Sequence, residues 1–396
     1  MIVAGQQTRE PIPISGLQAY MGEVIREAEN LEKAQTGSVL GLNLEVMDDV
    51  AADLADSMEE LSFQFEEKEM KTAGERKLGE LRGPKSAYIT AIQEWMKTLP
   101  DMPGGEFMER MLRQLRYAQM RGQTPNAQQL LKMLGEGSGD PTHQFAMLDV
   151  LEQALKPGEE ELQKLLQQTK QALNAEKGAE VRAGLNLAEQ INAQAKSPEE
   201  MQNLRDLYRG EVLGFKSPQD CFRSLLATRG AGRLAESIEF LIKGAGVDLN
   251  SPSPSTSAEE LHRVLGDLQC VNVLRTVMDK CNALAVKMAS QFGETCLLNG
   301  EKMTGRIMDF TEMPFVNAGN VGGFISSCGI GQLLAQLYFC TELLNMFRGL
   351  SPRLFQEDAD RFKLIDAGQE HLDGLVSLQE EAEQEEKEKK KKEDAA

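Results

Sequence analysis

SAEELHRVLGDLQCVNVLRTVMDKCNALAVKM, residues 257–288, carries the longest uninterrupted periodic signal in the chain. Leu261, Leu265, Leu268, Val271, Leu274, Met278, Cys281, Ala285 and Met288 recur at spacings of three and four, which lines them along one stripe of a helix of about eight turns. Ser257 and Glu260 stand three apart at its start, the pattern of a capping box. Cys281 is therefore expected on the buried face. The Ser/Pro-rich stretch DLNSPSPSTS, 248–257, reads as the connector leading into this helix.

The same logic extends towards the N-terminus. Asp140-Pro141, Ser197-Pro198 and Ser217-Pro218 each pair an N-capping side chain with a proline that suits the first helical position. Each predicts a fresh helix, and Ser197 with Glu200 reads as a further capping box. Tyr88, Ile92, Trp95 and Leu99 form one stripe, LPDMPGG (99–105) interrupts it, and Phe107, Met108, Met111, Leu112 and Leu115 resume it. The two methionines read as core. GEGSGDP (135–141) is a glycine-rich break before Phe145, Leu148, Leu151 and Leu155. A stripe at Leu54, Met58, Leu61 and Phe65 marks the first folded helix, and residues 1–50 read as a disordered tail.

Towards the C-terminus, Leu333, Leu337, Leu344 and Phe347 form a stripe ahead of a start signal at Ser351-Pro352. Phe362, Ile365, Leu372, Leu375 and Leu378 form the last one. GNVGGFISSCGIG (319–331) reads as a flexible interhelical loop, and the charge block at 381–396 as an irregular tail that buries nothing. Aromatic residues are only 5% and strand-favouring runs are nearly absent, so the fold class is all-α, an array of helical bundles.

A net charge of −19 argues against nucleic acid and anionic lipid as partners, because both are held mainly by Lys and Arg. No stretch reaches the about 18 apolar residues of a membrane span. The six cysteines, Cys221, Cys270, Cys281, Cys296, Cys328 and Cys340, have no close pair and read as reduced core thiols. The three histidines, His143, His262 and His371, are far apart and read as structural or surface groups. No Cys or His pair has zinc spacing, no G-x-S-x-G elbow occurs, and the glycine-rich segment lacks the Lys-Ser/Thr ending of a phosphate loop. No cofactor, metal or catalytic residue is expected, and the chain reads as a non-enzyme.

Three further pieces carry a family resemblance. LRDLYR at 204–209, then Phe240-Leu241 with Asp248-Leu249, then Pro254-Ser255 leading to Asp267, Leu268 and Leu274, follow in order the core pattern of the type III secretion gatekeepers. LYFCTELLNMFRGLSPRLFQEDADRFKLIDAGQEHLD resembles the TyeA-like module at Phe347, Arg348, Pro352, Phe355, Arg361 and Asp373. The chain thus resembles the form of the family that carries a YopN-like and a TyeA-like part together. The motif positions Leu204, Tyr208, Arg209, Phe240, Asp248, Leu249, Phe347, Pro352, Phe355 and Arg361 are expected to be mostly structural.

The resemblance implies three helical bundles at 51–138, 139–255 (HrpJ-like) and 256–380 (TyeA-like), behind an export signal and chaperone-binding segment at 1–50. It implies a monomeric virulence regulator at the cytoplasmic base of the secretion apparatus, a negative regulator of secretion that is later itself secreted. Such a protein promotes translocator export and blocks effectors until host contact. Its implied partners are an effector-class chaperone on the tail, a translocator chaperone on the bundles and a component of the export gate. The alternating Val39, Leu40, Leu42, Leu44 and Val46 suit chaperone capture by β-addition. The competing reading is a secreted effector that binds a host cytoskeletal protein.

Overall fold

The computed structural model describes residues 84–394. In order these form α1 (Pro84–Thr98), α2 (Gly105–Met120), α3 (Ala127–Gly137), α4 (Pro141–Gln153), α5 (Glu160–Asn186), α6 (Ala188–Gln194) and α7 (Pro198–Tyr208). There follow α8 (Pro218–Arg229), α9 (Ala231–Leu249), α10 (Ala258–Lys287), α11 (Gly300–Glu312), α12 (Ala318–Ser327), α13 (Leu333–Gly349) and α14 (Asp358–Asp394). No strand occurs among the described residues. The stripe at 54–65 and the alternating positions Val39 to Val46 lie outside them.

The start signals hold the helix ends as their chemistry requires. Asp140, Ser197 and Ser217 accept from the backbone N–H groups of Thr142, Glu200 and Asp220, each with proline at the first turn. Each cap contributes about 1 kcal/mol. The Ser257/Glu260 box is reciprocal. At Ser197 only half of the box forms, because the Glu200 carboxylate accepts from Lys196 N at 2.9 Å and from Arg233 at 3.2 Å instead. Ser351-Pro352 opens a single 3-10 turn (Pro352–Leu354); the chain leaves it extended at Phe355, which buries both Leu354 and Phe355.

Three expectations are corrected. The glycine-rich segment is largely helical: Asn317 and Asn320 form a reciprocal capping box, and Val321, Phe324 and Ile325 of α12 are buried. Its glycines permit close approach, since a Cβ on Gly322 would stand 2.7 Å from the His371 ring of α14. The charge block is not irregular either; α14 continues through it to Asp394, with Glu383–Lys387 and Glu385–Lys389 pairs four residues apart. Its side chains from Glu380 to Lys389 are all exposed. Third, the buried seam of α14 is Leu364, Ala367 and Leu375, whereas Phe362 and Leu378 are exposed. Phe362 is two residues from Leu364, about 200° around the helix.

Burial divides the described residues into two apolar cores. The first runs from Ala91 to Ala188 and gathers α1 to α5 with the start of α6; the second runs from Ala183 to Leu375. The sequence boundary at 138/139 falls inside the first core, and that at 255/256 inside the second. The helix α4 is enclosed almost all round, with Ala146, Met147, Leu148, Val150 and Leu151 wholly buried. Trp95 of α1 donates to Asp149 of α4 at 3.0 Å. The helix α5 bends at Lys177 and passes from the first core to the second. In the second core Phe310 meets Phe324 and Phe347 edge to face, both with centroids 5.9 Å apart. All six cysteines are unpaired; Cys296 is half-buried and the rest are buried in this second core.

Candidate functional site

The motif residues of α7 face both cores at once. Leu204, Leu207 and Tyr208 belong to the second core, while Arg205 and Arg209, four residues apart on one side, reach residues of the first. Asp140, the cap of α4, receives them. Its Oδ2 accepts from Arg205 Nε at 2.8 Å and Arg209 Nη1 at 2.9 Å; its Oδ1 accepts from Arg209 Nη2 at 2.9 Å and from Thr142 N at 2.7 Å. Arg205 also holds Asp101, in the α1–α2 connection, and His143 Nε2 lies 3.2 Å from that carboxylate. Arg209 further donates to Thr142 Oγ1 at 2.8 Å and to Glu180 O at 3.3 Å.

Burial alone would raise the Asp140 carboxyl, but the Arg209 hydrogen bonds and the charges of Arg209 and Arg205 outweigh it and hold it well below the usual carboxylate range. Asp101 is likewise lowered: burial opposes ionisation, and the neighbouring His143 and Arg205 more than reverse it. In the unfolded chain both aspartates return to about 3.9. The unfolded state thus binds more protons, so this stability is present above that value and is lost as pH falls through and below it. The urea midpoint is expected to drop steeply below about pH 5, and less steeply in Asp140→Asn. Equal slopes for the two proteins would refute the assignment.

A second polar cluster lies on the other side of α7. The Tyr208 hydroxyl donates to Asp248 Oδ2 at 2.8 Å, and Asn186 Nδ2 and Ser255 N donate to Oδ1 at 2.7 Å and 2.9 Å. The Ser255 hydroxyl donates to Oδ2 as well. Arg182 fixes the connector by donating to the carbonyls of Pro254 and Ser255, both at 3.0 Å. Burial, with the Asp248 charge beside it, pushes the Tyr208 phenol far above its ordinary value.

The structure therefore brings Leu204, Tyr208, Arg209, Asp248 and Ser255 into one region. Phe240 is fully buried in the same core and Leu249 half-buried beside it. Phe347 and Phe355 are buried, Pro352 forms the exposed 3-10 turn, and Arg361 donates to Arg348 O at the end of α13. Asp101, Arg182 and Asn186 carry no signal in the sequence, and His143 reads there only as a structural or surface group. The available signal was Arg205, a charged residue placed among the apolar positions Leu204, Leu207 and Tyr208.

Both clusters are buried and most of their donors and acceptors engage one another, Arg209 Nε being a buried donor without a hydrogen-bond partner. Among the described residues no group of three His, Cys, Asp or Glu is arranged to hold a metal. No helix among them is long and apolar enough to cross a membrane. A surface cleft of about 150 Å³ lies between α10 and α13, below the roughly 300 Å³ of typical small-molecule sites.

Comparison with known families matches the HrpJ-like domain to residues 53–229 and TyeA to residues 301–383, together more than half of the chain. The chain belongs to the type III secretion gatekeeper family. Among its relatives, the outer membrane protein YopN of Yersinia enterocolitica is 27% identical over 250 residues, 62% of this gatekeeper chain and 83% of YopN. The Chlamydia pneumoniae CopN structure superposes with a TM-score of 0.53 at 19% identity, over 73% of this chain and 99% of that one. CopN in a CopN-Scc3 complex gives 0.51 at 18%, over 72% and 99%. At these identities the structural matches show the shared fold. In this chain Arg205, Tyr208 and Arg209 of α7 and Asp248 of α9 hold the two polar clusters together.

Proposed function

We propose that this gatekeeper sets the order of type III export, promoting translocators and holding back effectors until host contact, and does so by docking rather than by chemistry. The observation that carries the reading is that one chain bears both the HrpJ-like and the TyeA match. The buried polar clusters support a structural role for the motif positions, because they tie helices to one another. The protein acts from the bacterial cytoplasm at the base of the apparatus, against a component of the export gate, and is then itself exported.

The CopN-Scc3 complex among the structural neighbours supports a partner protein on the helical body, and we propose a translocator chaperone in that place. Residues Val39, Leu40, Leu42, Leu44 and Val46 would hold an effector-class chaperone as an added strand. Deleting residues 39–46 should abolish co-purification of that chaperone; retention would remove this part of the proposal. The function itself is tested by the secreted-protein profile of the source bacterium with and without the gene, in the absence of host contact. Premature effectors with reduced translocators are expected. An unchanged profile, with the protein recovered from host cells, would favour an effector that binds a cytoskeletal protein.

A further inference from the structure

Between α10 and α11 exposure alternates residue by residue: Glu294, Cys296 and Leu298 are half-buried, whereas Thr295, Leu297 and Asn299 are exposed. That is the period of an extended strap with one face on the protein body and the other in water. The body beneath it is the turn between α12 and α13, residues 328–332. Leu297 N donates to Cys328 O at 2.9 Å, and Gly331 N and Gln332 N donate to Glu294 Oε1 at 3.2 Å and 2.8 Å. The approach is close enough that a Cβ on Gly329, where φ is +79°, would stand 2.7 Å from Leu297 Cγ. Cys296 therefore lies on the inward face of a strap whose register against Cys328 is fixed.

The Leu297–Cys328 hydrogen bond also sets how near the two cysteines are. In a trans peptide the N–H lies on the same side as the preceding Cα, so an acceptor 2.9 Å from Leu297 N stands about 4 Å from the Cys296 Cα. The Cys328 Cα is about 2.4 Å from its own carbonyl oxygen, which puts the two Cα atoms about 6 Å apart or less. Disulfides span roughly 4.4–6.8 Å between Cα atoms. Burial raises the Cys328 thiol first, and the Cys296 charge adds to it ahead of that of Cys281, in accord with side chains that face one another. Cys281 lies near as well, but its sulfur is engaged with Met346 Sδ at 3.6 Å.

We propose that Cys296 and Cys328 are a redox pair, two thiols in reducing surroundings and a disulfide in oxidising ones, which staples the strap to the α12–α13 turn. The half-buried Cys296 is the thiol that an oxidant reaches. Its thiolate attacks one sulfur of a small-molecule disulfide RSSR, forming a mixed disulfide and expelling RS−, which takes up a proton. Cys328 then gives its proton to solvent and attacks the Cys296 sulfur, and the second RS− leaves and is protonated. Two protein thiols are thus oxidised by two electrons while RSSR is reduced to two RSH. Export, as proposed above, carries the chain from reducing to oxidising surroundings; the pairing itself rests only on the geometry of the strap.

The test equilibrates the full chain with excess oxidised glutathione, counts the remaining free thiols, and locates the cross-link by mass spectrometry of unreduced peptides. Two of the six free thiols should be lost, one linked peptide pair should carry Cys296 and Cys328, and dithiothreitol should restore both thiols. Cys328→Ala should stop at a glutathione adduct on Cys296. Cys296→Ser, at a half-buried position, should lose no thiol, and it keeps the test open if the change at buried Cys328 disturbs folding. Retention of all six thiols, a lasting glutathione adduct on Cys296 of the unsubstituted chain, or a link that runs through Cys281 or between chains would overturn the proposal.

Discussion

Asp140→Ala is expected to cost about 3–5 kcal/mol of stability, the loss that follows when one partner of a buried ion pair is removed and the other is left behind. The physical case is strong at this position. The Asp140 and Arg205 side chains are each 1% exposed and Arg209 is 10% exposed, so neither guanidinium can turn to water without opening the packing between α4 and α7. Alanine also removes the cap of α4, because the Thr142 N–H loses its acceptor. Asp140→Asn keeps a capping oxygen and an acceptor for one arginine, and should lose clearly less. Urea unfolding followed by tryptophan fluorescence measures both. A loss below about 1 kcal/mol for alanine would mean that water or Asp101 takes over both arginines.

Phe347→Ala should have an effect of similar size, about 3–5 kcal/mol, for a different reason. Phe347 is completely buried, meets Phe310 edge to face, and lies beside Gly368 of α14, where a Cβ would stand 3.5 Å from its ring. Truncation leaves a cavity walled by three helices that already interlock, so the site cannot collapse easily. The cost should appear in the second core, and the double variant with Asp140→Ala should be close to additive because the two positions share no partner. A loss under about 1 kcal/mol, or strong non-additivity, would show that this core is looser than its packing implies.

How far such effects could be foreseen from the sequence depends on the range of the interaction. The α10 helix was legible because its stripe, cap and length are all local, and the three proline-marked starts were legible for the same reason. The segment 319–331 was not: its glycines look like loop chemistry until His371, about 50 residues on, is found against Gly322. Beyond residue 380 the sequence shows only lack of burial, which does not mean lack of helix, because Glu and Lys four apart support a helix in water. Tyr208 and Asp248 were both marked as motif positions, but their hydrogen bond spans 40 residues and Asp140 meets Arg205 across 65. No periodicity links partners at such separations.

The distribution of two residue types has a practical outcome for the solution biophysics of this protein. The single tryptophan, Trp95, packs against the first core, while the five buried thiols all lie in the second. Burial raises Cys281 and Cys328 to about 12 and Cys340 to about 11, so these thiols react with alkylating reagents at neutral pH only when their surroundings open. Indole emission and alkylation kinetics are therefore two built-in clocks, one for each half of the folded body, readable without introducing a label. If they run together in denaturant, the arginine–aspartate junction makes a single cooperative unit of the two cores; if the clocks separate, a state with one core melted is populated.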